Sequence, residues 1–251
     1  MPEDPRQIYS RTYFEGGVDG FGYTDYDCDK QAMSPTFTAY LDRIARACGR
    51  TGTLLDIGAA TGFFMGMARE RGWKTTGVEV SDHASRTARS RGLDVRTGML
   101  TGQDFEDSTF DAITMWDVIE HMEDPASAVI KSGALLKSGG VLAINTPDSG
   151  SLVSKVAGRR WHMVIPPEHL NLFSAQSLRI LLESCGFEVL ERATLGKRFT
   201  VQYVAQTLSH VVKPLKEIAL RIAGTRLGRA NVSINLYDNV FLLARRKSGA
   251  A

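Results

Sequence analysis

The chain has 251 residues, 43% hydrophobic and 23% charged, with a formal net charge of +2. That balance describes an ordinary globular protein rather than a disordered or fibrous one, and it leaves no broad electrostatic footprint for nucleic acid. Cys28, Cys48 and Cys185 are far apart and in no CxxC pair, a pattern of reduced thiols rather than of a disulfide framework. No run reaches the roughly 18 apolar residues of a membrane span, and the polar start Met1–Arg6 lacks the apolar centre of a signal peptide. The expectation is a soluble, cytoplasmic protein.

In chain order, residues 8–30 are rich in Tyr, Phe, Gly and Asp and lack a helical period. They are expected either to drape over a pocket or to form a loosely ordered leader. Ser34 or Pro35 opens a helix to about Gly49, with Phe37, Tyr40, Leu41, Ile44 and Ala45 on one face. Strands are then expected at about 53–57, 75–80, 93–97, 110–116 and 140–146, with helices at about 62–71, 82–91 and 125–137. Asp124 caps the last of these with Pro125 at its first position, and Lys137-Ser138-Gly139-Gly140 stops it. A helix from Ser174 to about Cys185 leads into the strand Phe187–Leu190, and a final strand spans about Leu236–Ala244. This βαβ rhythm predicts a mainly parallel sheet covered on both faces. One domain is expected over 1–251: a cap segment 1–50, a cofactor-binding core 51–147, and a C-terminal part 148–251. The last part carries an insertion at about 198–230, where apolar residues recur at helical spacing from Val201 to Ile222 and Pro214 divides the helix. Its basic side, Lys213, Lys216 and Arg221, fits a lid or a membrane-surface contact reaching a lipid-linked substrate, or a helix packed on the body with a solvated face.

Leu54-Leu55-Asp56-Ile57-Gly58-Ala59-Ala60-Thr61-Gly62-Phe63-Phe64 carries the most information. An apolar strand turns on glycines into a helix, which aims backbone N–H groups and a helix N-terminus at the crevice beyond the strand. Glu79 ends the next strand about twenty residues on, where a ribose-binding acid belongs. The two together imply an adenosine-containing cofactor. The dinucleotide fingerprint G-x-G-x-x-G is not met, because the turn offers Gly58 and Gly62 with Ala60 between them.

The order Asp-x-Gly-x-small-x-Gly resembles motif I of the class I S-adenosylmethionine-dependent methyltransferases. Gly77-Val78-Glu79-Val80-Ser81 is similar to their second motif, Ser108–Ile113 to the approach to their fourth strand, and Trp116–Pro125 to the "EH…DP" segment of one branch. Leu135–Leu142 resembles the helix-glycine-strand motif that follows. Pro167–Ser174 and Cys185–Val189 are similar to the C-terminal part of bacterial small-molecule members, including the quinone O-methyltransferases. The resemblance runs along nearly the whole chain. It implies a Rossmann-like, doubly wound α/β fold whose seven-stranded, mainly parallel sheet has an antiparallel last strand. It also implies S-adenosyl-L-methionine as cofactor. Glu79 would hold the ribose hydroxyls, and Gly58, Ala60 and Gly62 would line the methionine end. Asp56 would orient that loop or reach the ammonium through water, Met99 and Leu100 would flank the adenine, and Trp116 and Asp117 would face the cofactor. Many members have an acid where Met99 stands, so backbone and apolar contacts are left to hold this adenine. For Trp116 plain core packing is the alternative.

The cofactor's sulfonium is already a good methyl donor, so the protein must align the acceptor and remove a proton from it. His169, after the fifth strand, and His121 are the candidate bases, with His162 and His83 behind them. Asp117, Glu120 and His121 share a helical spacing and resemble a cluster that the quinone branch places around a divalent ion. Asp117 and Glu120 equally fit a D-x-x-E capping box, and no metal ligand is assigned. The Asn-Pro-Pro-aromatic signature of nucleic-acid base methylation is absent after the fourth strand, where Trp116-Asp117-Val118-Ile119 stands. The expected partner is a small-molecule acceptor rather than nucleic acid: a quinone precursor, a sugar or glycan intermediate, or a specialised metabolite, methylated on oxygen first of all, with nitrogen and carbon as the alternatives. The alternatives are a cofactor-binding protein without transferase activity and a nicotinamide-dependent oxidoreductase.

Overall fold

The computed structural model describes residues 11–14, 26–166, 168–201, 221, 225–228 and 230–247. Helix α1 (Arg11–Phe14) is a single turn, followed by α2 (Tyr26–Ala32) and α3 (Ser34–Cys48). As its period predicts, α3 buries Phe37, Tyr40, Leu41 and Ile44, and Gly49 ends it at φ 71°. Helix α2 departs from the expectation for residues 8–30. No apolar stripe marks it, but Asp27 and Asp29 lie in its first turn and Lys30 in its last, the polarity that the helix dipole favours.

Seven strands form the main sheet: β1 (Thr53–Ile57), β2 (Lys74–Glu79), β3 (Asp94–Thr97), β4 (Phe110–Trp116), β5 (Leu136–Pro147), β6 (Phe187–Ala193) and β9 (Asn239–Arg246). Two further strands, β7 (Lys197–Thr200) and β8 (Asn231–Ile234), pair antiparallel in a small sheet of their own. The main sheet has the order β3-β2-β1-β4-β5-β9-β6, and β9 runs antiparallel to both of its neighbours. The direction of connection reverses between β1 and β4, which opens a crevice at the carboxyl ends of those strands. Helices α4 (Phe63–Glu70), α5 (Asp82–Ser90) and α6 (Pro125–Leu135) make the crossovers, and α7 (Leu152–Ala157) and α8 (Ala175–Ser184) follow β5.

Alternate side chains along the central strands serve two cores. Leu54, Ala112, Val141, Ala143, Phe241 and Leu243 pack towards Phe37, Tyr40 and Phe64 of α3 and α4. Leu55, Ile113, Leu142, Ile144, Val240 and Leu242 pack towards Val129, Leu178 and Leu182 of α6 and α8.

Several boundaries moved. Helix α6 starts as expected, with Asp124 accepting from Ser127 N at 2.9 Å, but it stops at Leu135. Leu136 is already extended and pairs with Phe110, so Lys137–Gly140 begin β5 rather than cap the helix. Strand β5 runs on to Pro147 and takes in Asn145 and Thr146. Strand β9 starts at Asn239 rather than Leu236, because Pro147 at the end of β5 pairs with Asn239. Strands β7 and β8 replace the first residues of the insertion and follow its last. Its periodic stretch after Val201 lies outside the described residues, Arg221 excepted, as does the Cys28 side chain. Cys48 and Cys185 are free and half-buried. Among the described residues no helix is long and apolar enough to cross a membrane.

Candidate active site

The turn from β1 into α4 carries the tightest geometry. Gly58 has φ 74°, and a Cβ there would meet Val118 Cγ2 at 2.4 Å. Gly58 N and Ala59 N both donate to Val78 O, at 2.8 and 3.1 Å. Ala60 stands at φ 48°, a left-handed conformation that costs an alanine about 1–2 kcal/mol. Its N–H donates to Glu79 Oε2 at 2.8 Å, while Ser81 N donates to Oε1 at 2.7 Å. Burial pushes the Glu79 carboxyl up, and these backbone donors pull it back. Each oxygen keeps a lone pair for a further donor, so Glu79 braces the turn and still faces the cavity.

Asp56 and Gly62 do not line the cavity; this departs from the place expected for Gly62 and leaves for Asp56 the expected role of orienting the loop. Asp56 is 1% exposed and accepts from Thr114 Oγ1 at 2.6 Å, and burial lifts its carboxyl to about 7. A Cβ on Gly62 would meet Leu93 Cδ1 at 2.3 Å, so its smallness seats α4 against the Leu93 side of the fold rather than admitting a ligand.

At the tip of β4, Trp116 stacks on Tyr40 at 4.6 Å and Tyr40 on Phe241 at 4.8 Å. Trp116 thus packs in the α3-side core and also lines the cavity. Tyr40 Oη donates to Asn145 Oδ1 at 2.8 Å, and Asn145 Nδ2 donates to Asp117 Oδ1 at 2.7 Å. This relay holds Asp117, whose φ of 54° breaks any helix through it. The capping box therefore does not form. A short 3-10 turn, Ile119–His121, follows with no side-chain cap.

That turn sends Glu120 and His121 inward. Glu120 is 1% exposed and accepts from Thr146 Oγ1 at 2.8 Å. Its carbonyl accepts from Leu170 N and Asn171 N, both at 2.9 Å, which ties the loop carrying His169 to the β4 tip. His121 Nδ1 lies 2.9 Å from Glu168 O and His169 Nδ1 lies 2.7 Å from Met163 O. A carbonyl can only accept, so each Nδ1 carries a proton, and in the neutral form each ring keeps its lone pair on Nε2. The rings meet edge to face at 4.7 Å. Burial first, then the neighbouring His169, pushes His121 down to about 4. Ligand atoms of Glu120, His121 and His169 lie within 4.8 Å of one another, and the fixed Nδ1–H groups are the support that metal-binding imidazoles require.

All of this opens on one cavity of about 670 Å³. Gly58, Ala60, Glu79, Met99, Leu100, Trp116, Asp117, His121 and His169 line it, as does His162, but Asp56, Gly62 and His83 do not. Asp29, Lys30, Asp238 and Asn239, singled out by no sequence motif, are among the further residues that line it. Asp238 is 4% exposed on its side chain and meets Trp161 Nε1 at 3.2 Å and His162 Nε2 at 3.5 Å. The acidic, aromatic character of residues 8–30 was the available signal for the first two. The others depend on tertiary approach alone.

A model of the methyltransferase domain matches residues 31–192. The chain is 34% identical over 116 residues to a ubiquinone biosynthesis O-methyltransferase of Alkalilimnicola ehrlichii, covering 42% of this chain and 47% of that protein. It is 29% identical over 157 residues to a probable S-adenosylmethionine-dependent methyltransferase of Mycolicibacterium smegmatis, covering 61% and 58% respectively. The chain thus spans about half the length of these two curated relatives. Its fold is shared with the YcgJ protein of Bacillus subtilis at a TM-score of 0.60 and 17% identity, over 86% of this chain and 99% of that one. With the domain model covering more than half its length and this sheet order around a glycine turn, the chain belongs to the S-adenosylmethionine-dependent methyltransferase family, whose fold implies S-adenosyl-L-methionine as cofactor.

Proposed function

We propose that this chain transfers a methyl group from S-adenosyl-L-methionine to a hydroxyl oxygen of a small molecule. The acceptor classes in view are quinone precursors, sugars or glycan intermediates, and specialised metabolites. One observation carries the reading. A single cavity is lined by the buried Glu79 carboxylate and by two histidines with their Nδ1 protons committed to carbonyls. The cofactor fits the donor set: Glu79 has lone pairs left for two ribose hydroxyls, and Gly58 and Ala60 line the cavity beside it. When bound, the cofactor supplies an electrophilic methyl group. His169 takes the acceptor's hydroxyl proton on Nε2, and His121 stays neutral beside it. Met122, Met163, Ile165 and Leu170 supply an apolar wall for the acceptor's body.

Calorimetric titration with S-adenosylhomocysteine, then mass detection of methylated product across catechols, phenols and sugars, tests the proposal. Binding with no product from any of them would favour a cofactor-binding protein that transfers nothing. The spacing of Glu120, His121 and His169 favours a second reading, in which a divalent cation on these three groups orients the acceptor. Loss of turnover in EDTA with recovery in Mg²⁺ would select it, and indifference to both would discard it.

A further inference from the structure

Asp238 stands just before β9, and its side chain is 4% exposed. The main sheet fixes its backbone, because its carbonyl accepts from Asp148 N, the residue after β5, at 2.8 Å. A carboxylate buried this deeply is costly unless donors surround it. Its Oδ2 accepts from Trp161 Nε1 at 3.2 Å and lies 3.5 Å from His162 Nε2, while Asn239 Nδ2 reaches Oδ1 at 3.4 Å. Trp161 is 3% exposed, and an indole has a single N–H to give. Loss of this acceptor would strand a buried donor.

Trp161 opens a tight turn. Val164 N donates to Trp161 O at 2.9 Å, which makes His162 and Met163 the two central residues, and both line the cavity. The Met163 carbonyl is the group that His169 Nδ1 meets at 2.7 Å. A second turn follows, in which Glu168 N and His169 N both donate to Ile165 O, at 2.9 and 3.0 Å. The far end of this segment is tied to the β4 tip, where Leu170 N and Asn171 N donate to the Glu120 carbonyl. The near end is tied to the sheet by the Trp161 side chain on Asp238.

Position and tautomer are therefore linked. A neutral imidazole carries its proton on either nitrogen, and the hydrogen bonds of the ring decide which. If the Met163 carbonyl moves away from Nδ1, the proton is free to occupy Nε2. That is the nitrogen that must be bare to take a proton from an acceptor.

We propose that Asp238 is a positioning residue for His169: through Trp161 and the Met163 carbonyl it keeps the His169 proton on Nδ1 and leaves Nε2 bare. The inference rests on the reading of His169 given above and adds to it a residue that no sequence motif marks. Support of an imidazole by the carbonyl behind it is the usual device for fixing which nitrogen works.

The test reads the tautomer directly. Long-range nitrogen–proton correlation spectra of the histidine-labelled full chain, taken where the rings are neutral, need no acceptor. Wild-type His169 should show the Nδ1–H form alone. Trp161→Phe, which removes the N–H and keeps an aromatic ring, and Asp238→Leu should each populate the Nε2–H form. Asp238→Asn, which keeps an acceptor oxygen, should not. His121 is the internal control: its acceptor, Glu168 O, lies in the second turn, so its Nδ1–H should survive in every variant. Affinity for S-adenosylhomocysteine should stay unchanged throughout. An Nε2–H form at His169 in the wild type overturns the inference, and that spectrum needs no variant to fold. Persistence of Nδ1–H at His169 in folded Trp161→Phe or Asp238→Leu overturns it as well. So does its loss from His121 and His169 together, the mark of a loop that has collapsed as a whole. Because no methyl transfer is read, failure to methylate any acceptor would overturn the transferase reading and leave the tautomer result standing.

Discussion

The two halves of the cavity are built differently. On the side proposed for the cofactor, one contiguous stretch of backbone lies between β1 and α4, and Glu79 locks it through main-chain N–H groups of Ala60 and Ser81. On the side proposed for the acceptor, the wall is made of side chains from distant segments. Glu120 and His121 come from the β4 tip, His169 from the loop before α8, and Asp238 from the approach to β9. The first half is built from contacts short in sequence, so the binding proposed for it needs little beyond local turn geometry. The second half depends on loops being tied together, which is where one fold takes on different acceptors.

This contrast can be broken or sharpened by experiment. The largest expected effect concerns the acceptor half. His121 titrates near 4 in the folded protein against an ordinary value of 6.5, so between those values the unfolded chain binds a proton that the native one does not. Stability is therefore lost as pH falls through that window, by up to about 3 kcal/mol. Urea melts at pH 7 and pH 4.5 should show a much larger loss in the wild type than in His121→Gln. Equal losses would mean that His121 is not buried neutral.

Next, His169→Ala should slow turnover by roughly a hundredfold or more while leaving S-adenosylhomocysteine affinity unchanged. If both fall together, the two halves are not separable. On the cofactor side, Glu79→Ala should weaken S-adenosylhomocysteine at least tenfold, about 1.4 kcal/mol, with some loss of stability because the Ala60 and Ser81 donors are orphaned. Unchanged affinity in a folded variant would remove Glu79 from the ribose. The smallest effect is expected from Ala60→Gly. Relief of the strain at φ 48° is offset by the extra entropy of a glycine in the unfolded chain, leaving a gain of less than about 1 kcal/mol. A clear destabilisation would show that the alanine methyl packs productively there.

Legibility followed range. The main-sheet strands and most of their crossover helices could be read from periodicity, because each apolar stripe or run reports burial by the layers above and below it. The Gly58 turn and Glu79 could be read because their spacing along the chain is their geometry. Asp56 and Gly62 belong to the same motif yet lie behind the cavity wall, facing Thr114 and Leu93, since spacing says nothing of which side of a turn faces the ligand. The helical spacing of Asp117, Glu120 and His121 makes no helix because a left-handed Asp117, held by Asn145 from the neighbouring strand, overrides local propensity. Helix α2 was missed because polar bonds to Arg91, Thr61 and Thr200 fix it rather than an apolar face.

By itself, then, the sequence determined the alternation of strands and helices, the glycine turn, the acid at the end of β2 and hence the family. Each is a property of residues within a few positions of one another, governed by period, turn chemistry and strand-end placement. Only the tertiary structure decided which motif residues face the cavity, that His121 and His169 stand edge to face 4.7 Å apart, and that Lys30 is the only lysine or arginine on the cavity wall among the described residues. Those outcomes join groups tens of residues apart. They are set by which loops the packed sheet brings together at its carboxyl edge, and local physical chemistry along the chain carries no record of that approach.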